Sequence, residues 1–321
     1  MLPTLGRYHV DQLLARGGMG EVYLGRVAGA HDFVRPVVIK VIRTELVENE
    51  RIALMFVDEA RIAAGLHHRN IVQIIDFDLF GGGAFLVTEY IQGCDLRAFL
   101  HHLRGAPAYP LAAAILAELA TGLEAAHDAR DPDGAALGLV HRDVSPSNVL
   151  LGVHGEVKIA DFGVAKARSR SYHTVSGSIK GKAPYMAPEQ ILGEPVDRRA
   201  DVFSLGVLLF ETATRSRLYS AHTNASAMKL ILAGTVPDPA ARRADFPPGL
   251  TQILRRALAR DPADRFPTAA AFAGALDELA RAERWSLSVA GIAAQVRQVR
   301  QRIAASSSTP AGATPSGATP A

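Results

Sequence analysis

Residues 141–148 read His-Arg-Asp-Val-Ser-Pro-Ser-Asn, and Asp161-Phe162-Gly163 follows a short way downstream. The first string sets the carboxylate of Asp143 five residues before the amide oxygen of Asn148. The second adds the carboxylate of Asp161 on a tight glycine turn. Two acids and an amide can hold metal ions against a triphosphate while one carboxylate orients an attacking hydroxyl, which is the equipment of phosphoryl transfer. Each short motif is weak alone; their order within one chain carries the reading.

A triphosphate also needs a cradle and a cation. Residues 14–23, Leu-Ala-Arg-Gly-Gly-Met-Gly-Glu-Val-Tyr, cluster glycines whose backbone N–H groups can approach phosphates with no side chain between. Alone, the cluster is equally a plain hairpin turn. Lys40 closes the β-branched run Val37-Val38-Ile39, and the chain holds six lysines against 29 arginines, so a lysine there is informative. Strand-end lysines are otherwise ordinarily solvated. On the helical pattern that follows, Glu59 shares the apolar face of Ile52, Met55, Phe56, Ile62 and Ala63, while Asp58 points about 100° away. A buried lysine–glutamate pair is costly to desolvate, so its use here is to aim charge.

These groups must be positioned by two kinds of element. The first ninety or so residues read as strands with turn punctuation: Tyr8-His9-Val10, Leu13-Leu14, Val22-Tyr23-Leu24 and Val37 to Lys40. Residues 51–66 take helical spacing. Two apolar runs, Ile71 to Phe77 and Phe85 to Ile91, are joined through Gly81-Gly82-Gly83, a hairpin turn. After residue 93 the pattern is helical: Leu111 to His127, an all-round apolar Val202 to Leu209, Gln252 to Arg260, Ala269 to Arg281, and a further helix over 284–303. Residues 306–321 are Ser, Thr, Pro, Gly and Ala, too polar to order themselves.

Bulk properties fit one two-lobed domain of roughly 250–280 residues plus a tail. Hydrophobic residues make up 48% and charged residues 21% of the 321, enough for a packed core. The net charge of +3 is spread without a long basic block, which argues against a nucleic-acid partner. A single cysteine, Cys94, allows no internal disulfide and reads as a small, buried or half-buried side chain in a reducing compartment. Neither a leader nor a span of about 20 apolar residues is visible, so the expected location is cytoplasmic.

Taken in order, these pieces resemble the bacterial eukaryotic-like (Hanks-type) serine/threonine protein kinases across about residues 8–280. Ala187-Pro188-Glu189, Asp201 and Arg265 add to the likeness. The resemblance implies an α+β, two-lobed protein-kinase fold. Its N-lobe, 8–91, would be a small, mainly antiparallel sheet with one key helix. A hinge at about 89–94 would lead to a larger helical C-lobe, 95–280. It implies ATP with Mg²⁺ or Mn²⁺, transfer to Ser or Thr of proteins, and self-association for phosphorylation in trans. Nucleotide contacts fall to Leu14, Ala15, Arg16, Gly17, Gly18, Met19, Gly20, Glu21, Val22, Val38, Lys40, Thr88, Glu89, Ile91 and Leu150, with adenine pairing to the backbone of 89–91. Lys40, paired to Glu59, would grip the α and β phosphates. Asp143 would orient the acceptor hydroxyl, and Asn148 and Asp161 would hold the metal. Glu189, Arg265 and Asp201 would be architectural.

Three departures matter. Ala15 stands where the first loop glycine usually sits. Ser145 stands where these kinases usually carry a lysine that touches the γ-phosphate, and Lys182 stands where they usually carry threonine. Those two positions are neighbours across the family's cleft, so Lys182 is expected to reach back and supply the missing charge. Arg142 resembles the arginine that pairs with a phosphorylated activation segment, for which Thr174 or Ser176 are the candidates. Two other readings stay open: a nucleotide-binding pseudokinase scaffold, favoured by Ala15 and Ser145, and a small-molecule phosphotransferase, disfavoured by the long segment from Asp161 to Glu189.

Overall fold

The computed structural model describes residues 4–17, 20–29, 33–42, 60, 63–80, 83–161 and 182–307. Glu59, Gly18, Met19, Thr174 and Ser176 lie outside them.

The strand-rich first part forms a six-stranded antiparallel sheet from β1 (Thr4–Leu5), β2 (Tyr8–Gly17), β3 (Gly20–Ala28), β4 (Val34–Ile42), β5 (Ile74–Phe80) and β6 (Gly83–Glu89), in the order β1-β2-β3-β4-β6-β5. Side chains alternate across it as strand geometry demands. Tyr8, Val10, Val37, Ile39, Phe85 and Val87 form a closed core on one face. Val38 and Lys40, the intervening residues of β4, face the other way.

The apolar run expected from Ile71 starts pairing only at Ile74. Residues 70–72 are drawn instead to the C-lobe. Ile159 N donates to Asn70 O at 2.8 Å, Val72 N donates to Ile159 O at 2.9 Å, and Asn70 Nδ2 donates to Val157 O at 2.8 Å. These bonds join residues far apart in sequence, so no local periodicity marks where the pairing changes partner.

Below lies a three-stranded sheet of β7 (Gly93–Asp95), β8 (Val149–Gly152) and β9 (Val157–Ile159), followed by a helical body. Its helices are α1 (Leu96–His102), α2 (Tyr109–His127), α3 (Pro188–Leu192), α4 (Arg199–Thr214), α5 (Asn224–Leu232), α6 (Pro248–Ala257), α7 (Ala269–Ala282) and α8 (Val289–Ser307). α4 is buried from Ala200 to Thr214, as its all-round apolar sequence requires. α2 packs on α4, α7 and β9. Gly122 lets it approach the interlobe strap: a Cβ there would sit 2.7 Å from Asn70 O.

The last helix begins at Val289 rather than 284. Arg284 takes a left-handed φ of 55°, Trp285 N returns to Ala280 O at 2.8 Å, and Ser288 Oγ accepts from Gly291 N at 3.2 Å. α8 lies across α1, α2, β7 and β8, burying Ile292, Ala293, Val296 and Val299. Cys94, on β7, is half-buried against the same core, and burial pushes its thiol up to about 12. The fold is a protein-kinase fold, with a sheet lobe over a helical lobe.

Candidate active site

The cleft between the lobes is built from one face of the upper sheet. Lys40 pairs across with Val22 on β3 and with Leu86 on β6, and Val38 pairs with Thr88. These side chains share the face opposite the N-lobe core, so a ligand entering the cleft meets them together. Leu150, half-buried between the buried Val149 and Leu151 on β8, lies on the lower side. At the mouth, Gly17 pairs with Gly20 to close the β2–β3 hairpin, Leu14 and Ala15 are exposed, and Arg16 Nε bridges Glu21 Oε1 at 2.9 Å. Gly20 has φ 153°, and a Cβ there would lie 1.8 Å from Val41 O, so no other residue fits the turn without moving β4.

The hinge departs from expectation at one residue. Glu89 N donates to Gln73 O at 3.0 Å, so this N–H is committed within the N-lobe and is not offered to a purine. The Glu89 carboxylate is committed too, accepting Lys158 Nζ at 2.8 Å and Gln73 N at 2.8 Å. Ile91 makes no backbone hydrogen bond among the described residues.

The loop 141–148 that leads into β8 is held from beneath by Asp201, the first-turn acid of α4. Its Oδ2 accepts His141 N at 2.8 Å and His127 Nε2 at 2.7 Å, and its Oδ1 accepts Arg142 N at 2.8 Å. Burial alone would raise the Asp201 pKa, but the His127 hydrogen bond and charge and the loop N–H groups outweigh it, so the carboxyl is held below its ordinary range. These bonds fix Arg142 in a left-handed turn, φ 62°, whose carbonyl accepts Gln190 Nε2 at 3.1 Å. The turn presents Asp143.

Three groups then meet at Asp143. Asn148 Nδ2 donates to its carbonyl at 2.8 Å and to Oδ2 at 3.2 Å. Lys182 Nζ donates to Oδ2 in a short ion pair. Asp143 N donates to His141 Nδ1 at 3.2 Å, which leaves the His141 proton on Nε2, directed at Ala160 O at 3.1 Å. Burial lowers the His141 pKa against the pull of Asp201 and Asp143, so the ring is neutral, as this tautomer requires. Ser145 is buried with its hydroxyl on that of Ser147 at 3.2 Å.

Asp161 closes the arrangement. It too is left-handed, φ 56°, and its Oδ1 accepts Lys40 Nζ at 3.0 Å. The Lys40 charge holds its carboxyl below the usual range; Lys182 and His141 act in the same direction, against the cost of burial. Asp161 Oδ2 and Asn148 Oδ1 accept no hydrogen bond from any described residue. Two oxygens, one charged and one neutral, thus remain for a ligand. The described residues hold no group of three or more His, Cys, Asp or Glu arranged to bind a metal ion by themselves. The donor set fits an ion such as Mg²⁺, which takes one or two protein oxygens and completes its shell with phosphate and water.

A family model described as the protein kinase domain matches residues 8–274. The chain belongs to the protein kinase family. It is 43% identical over 281 residues to the tyrosine-protein kinase MasK of Myxococcus xanthus, covering 86% of this chain and 43% of MasK. It is 36% identical over 274 residues to the serine/threonine-protein kinase PknL of Mycobacterium tuberculosis, covering 85% and 66%. To the serine/threonine-protein kinase PknB of Mycolicibacterium smegmatis it is 35% identical over 271 residues, covering 82% and 41%. The crystal structure of the M. tuberculosis PknI kinase domain matches with a TM-score of 0.66 at 29% identity, over 87% of this chain and 98% of that one. The chain therefore spans only about two-fifths of MasK and of PknB. No helix among the described residues is long and apolar enough to cross a membrane.

In this kinase domain the structure brings together Lys40, Asp143, Asn148, Asp161 and Lys182, together with Val22, Val38 and Thr88. It adds three residues that sequence reasoning missed. Leu86 faces Lys40 across β4–β6, and period-2 counting along β6 from Thr88 could have found it. Lys158 locks the hinge glutamate, and His127 backs Asp201; neither carries a sequence signal, since both pairings join residues distant along the chain.

Proposed function

We propose that this chain transfers the γ-phosphoryl group of ATP to Ser or Thr hydroxyls of proteins, its own activation segment included. The observation that carries the reading is the convergence of Lys40–Asp161 and Lys182–Asp143 on one cleft, with Asn148 between them. In-line transfer needs little covalent work from the protein and depends on positioning and charge. Lys40 grips the α and β phosphates, and Asp161 orients it. Asp143 accepts the hydroxyl proton. Lys182, one-third exposed against a nearly buried Asp143, moves between that carboxylate and the γ-phosphate and replaces the absent lysine at 145. Asn148 and Asp161 hold Mg²⁺, which neutralises charge on the β and γ phosphates when bound. Val22, Val38, Thr88 and Leu150 enclose the base, which pairs with the backbone at Ile91. Arg142, whose buried Nε has no hydrogen-bond partner among the described residues, receives an activation-segment phosphate on Thr174 or Ser176.

A second reading, transfer to tyrosine, is favoured by the name of the 43%-identical MasK. The experiment that separates the two is incubation with γ-labelled ATP and Mg²⁺ and analysis of the labelled amino acids. Phosphoserine and phosphothreonine are the expected products; label on tyrosine alone would overturn the acceptor assignment.

A further inference from the structure

Beside the loop that carries Asp143, α1 and the loop after α4 present two exposed arginines, Arg97 and Arg217. Arg97 N donates to Pro146 O at 3.2 Å, three residues past Asp143, so Arg97 stands directly beside the catalytic loop. One turn later on α1, the carbonyls of Leu100 and His101 accept Arg215 Nε and Nη2 at 2.9 and 3.2 Å, fastening the 215–218 loop to this helix. Arg217 on that loop donates to the Tyr185 hydroxyl and stacks its guanidinium 5.7 Å from the ring centroid. Tyr185 lies three residues past Lys182, which holds Asp143.

The acids of this region are already committed. Asp95 caps α1, accepting Ala98 N at 2.6 Å. Glu211 is buried, accepts Tyr185 OH at 2.8 Å and Leu218 N at 3.3 Å, and lies 3.6 Å from Arg217. Burial raises the pKa values of both Tyr185 and Glu211, and Arg217 and Arg97 both oppose it, which places the two guanidinium groups around the same buried pair. Arg97 itself makes no side-chain hydrogen bond or ion pair among the described residues and is exposed. Residues 162–181 contain Lys166, Arg168, Arg170 and Lys180 and no Asp or Glu, so they bring no carboxylate to neutralise it.

We infer that Arg97, with Arg217 behind it, forms a cationic subsite that selects acceptor proteins carrying an anionic side chain a few residues from the phosphorylated hydroxyl. This rests on the phosphotransfer reading above. An acceptor chain running extended over residues 143–146 advances about 3.3–3.6 Å per residue. A hydroxyl at Asp143 therefore brings a residue two to four positions away within reach of Arg97. The carboxylate or phosphate of that residue meets a guanidinium able to accept it in bidentate fashion. A basic residue at the same place meets like charge, while among the described residues Glu211 is enclosed and Asp95 is engaged as a helix cap.

The test uses the full chain with ATP and Mg²⁺ and three peptides of one acceptor serine, differing only in flanking Glu, phosphothreonine or Arg. A degenerate peptide mixture reports catalysis independently of the flanks. Partly exposed pairs of this kind alter affinity by factors of about 2–5 each, so kcat/KM should favour both anionic peptides over the arginine peptide by about 10-fold. The preference should shrink as salt rises, and Arg97→Glu should reverse it, with thermal melting used to check the fold. Comparable values for the three peptides while the mixture is phosphorylated, or an unchanged preference in Arg97→Glu, overturn the subsite and leave catalysis standing. Absence of transfer to any acceptor ends both readings.

Discussion

At the scale of single residues, the site works by sharing each charge among neighbours of different duty. Asp143 Oδ2 takes both Lys182 and Asn148, and Asp161 takes Lys40 on one oxygen while the other accepts no hydrogen bond from a described residue. Lys182→Ala should therefore lower kcat/KM by about 10²–10³, the loss expected when a charge acting in the transition state is removed, with ATP affinity changing far less. Steady-state kinetics on folded protein check this, and an unchanged kcat/KM would assign Lys182 to solvent. His141 gives a second expectation. Its folded pKa lies below the ordinary 6.5 because the ring is buried and neutral. The stability it contributes is complete above that value and is lost as pH falls toward the lowered one, since the unfolded chain takes up the proton first. Urea midpoints should accordingly drop between pH 7 and pH 5, and the drop should be shallower in His141→Asn.

At the scale of elements, the site depends on pieces that look unrelated to it. Sequence periodicity placed Lys40 on a strand, and the pleat then sends Val38 and Lys40 to the cleft and Val37 and Ile39 to the core. The catalytic loop was legible because its residues lie close together in sequence. The commitment of the Glu89 N–H to Gln73, and of its side chain to Lys158, was not legible, because both are long-range pairings that leave no local trace. The late start of α8 was likewise hidden: Arg284 carries no conformational signal for its left-handed turn, and Ser288 is a common cap that only the structure singles out. Once formed, α8 supports β7 and β8 from behind, with Arg297 Nη1 on Val153 O at 2.8 Å and Arg302 Nη1 on His102 O at 3.2 Å. Ile292→Ala should cost about 2–5 kcal/mol of stability in chemical denaturation. Because β8 carries Leu150, it should also weaken ATP binding more than it slows turnover, as titration calorimetry and kinetics together can show.

At the scale of the whole molecule, the 70–72 strap ties the sheet lobe to the helical one, and a buried ion pair ties the helical lobe together within itself. Arg265 uses all five of its N–H donors: two on the Glu189 carboxylate at 2.7 and 2.8 Å, and one each on the carbonyls of Ala259, Arg199 and Arg260. This fastens the segment after Lys182 to the base of the C-lobe, 76 residues away in sequence. Arg265→Ala should destabilise by about 3–5 kcal/mol, because it strands a buried carboxylate and three carbonyls. Arg265→Lys should recover little, since an ammonium cannot match the planar fork. Equal unfolding midpoints for the lysine variant and the unaltered chain would contradict that account.

The central claim is that Lys40, Asp143, Asn148 and Asp161 act on one triphosphate, and single-turnover transfer from γ-labelled ATP in the Asp143→Ala protein addresses it most directly. The account predicts that the unaltered chain labels protein acceptors with Mg²⁺, and that the variant binds ATP with similar affinity while transferring at least 10²-fold more slowly. A variant that transfers at the unaltered rate, or an unaltered chain that binds ATP and never transfers its phosphate, would contradict it.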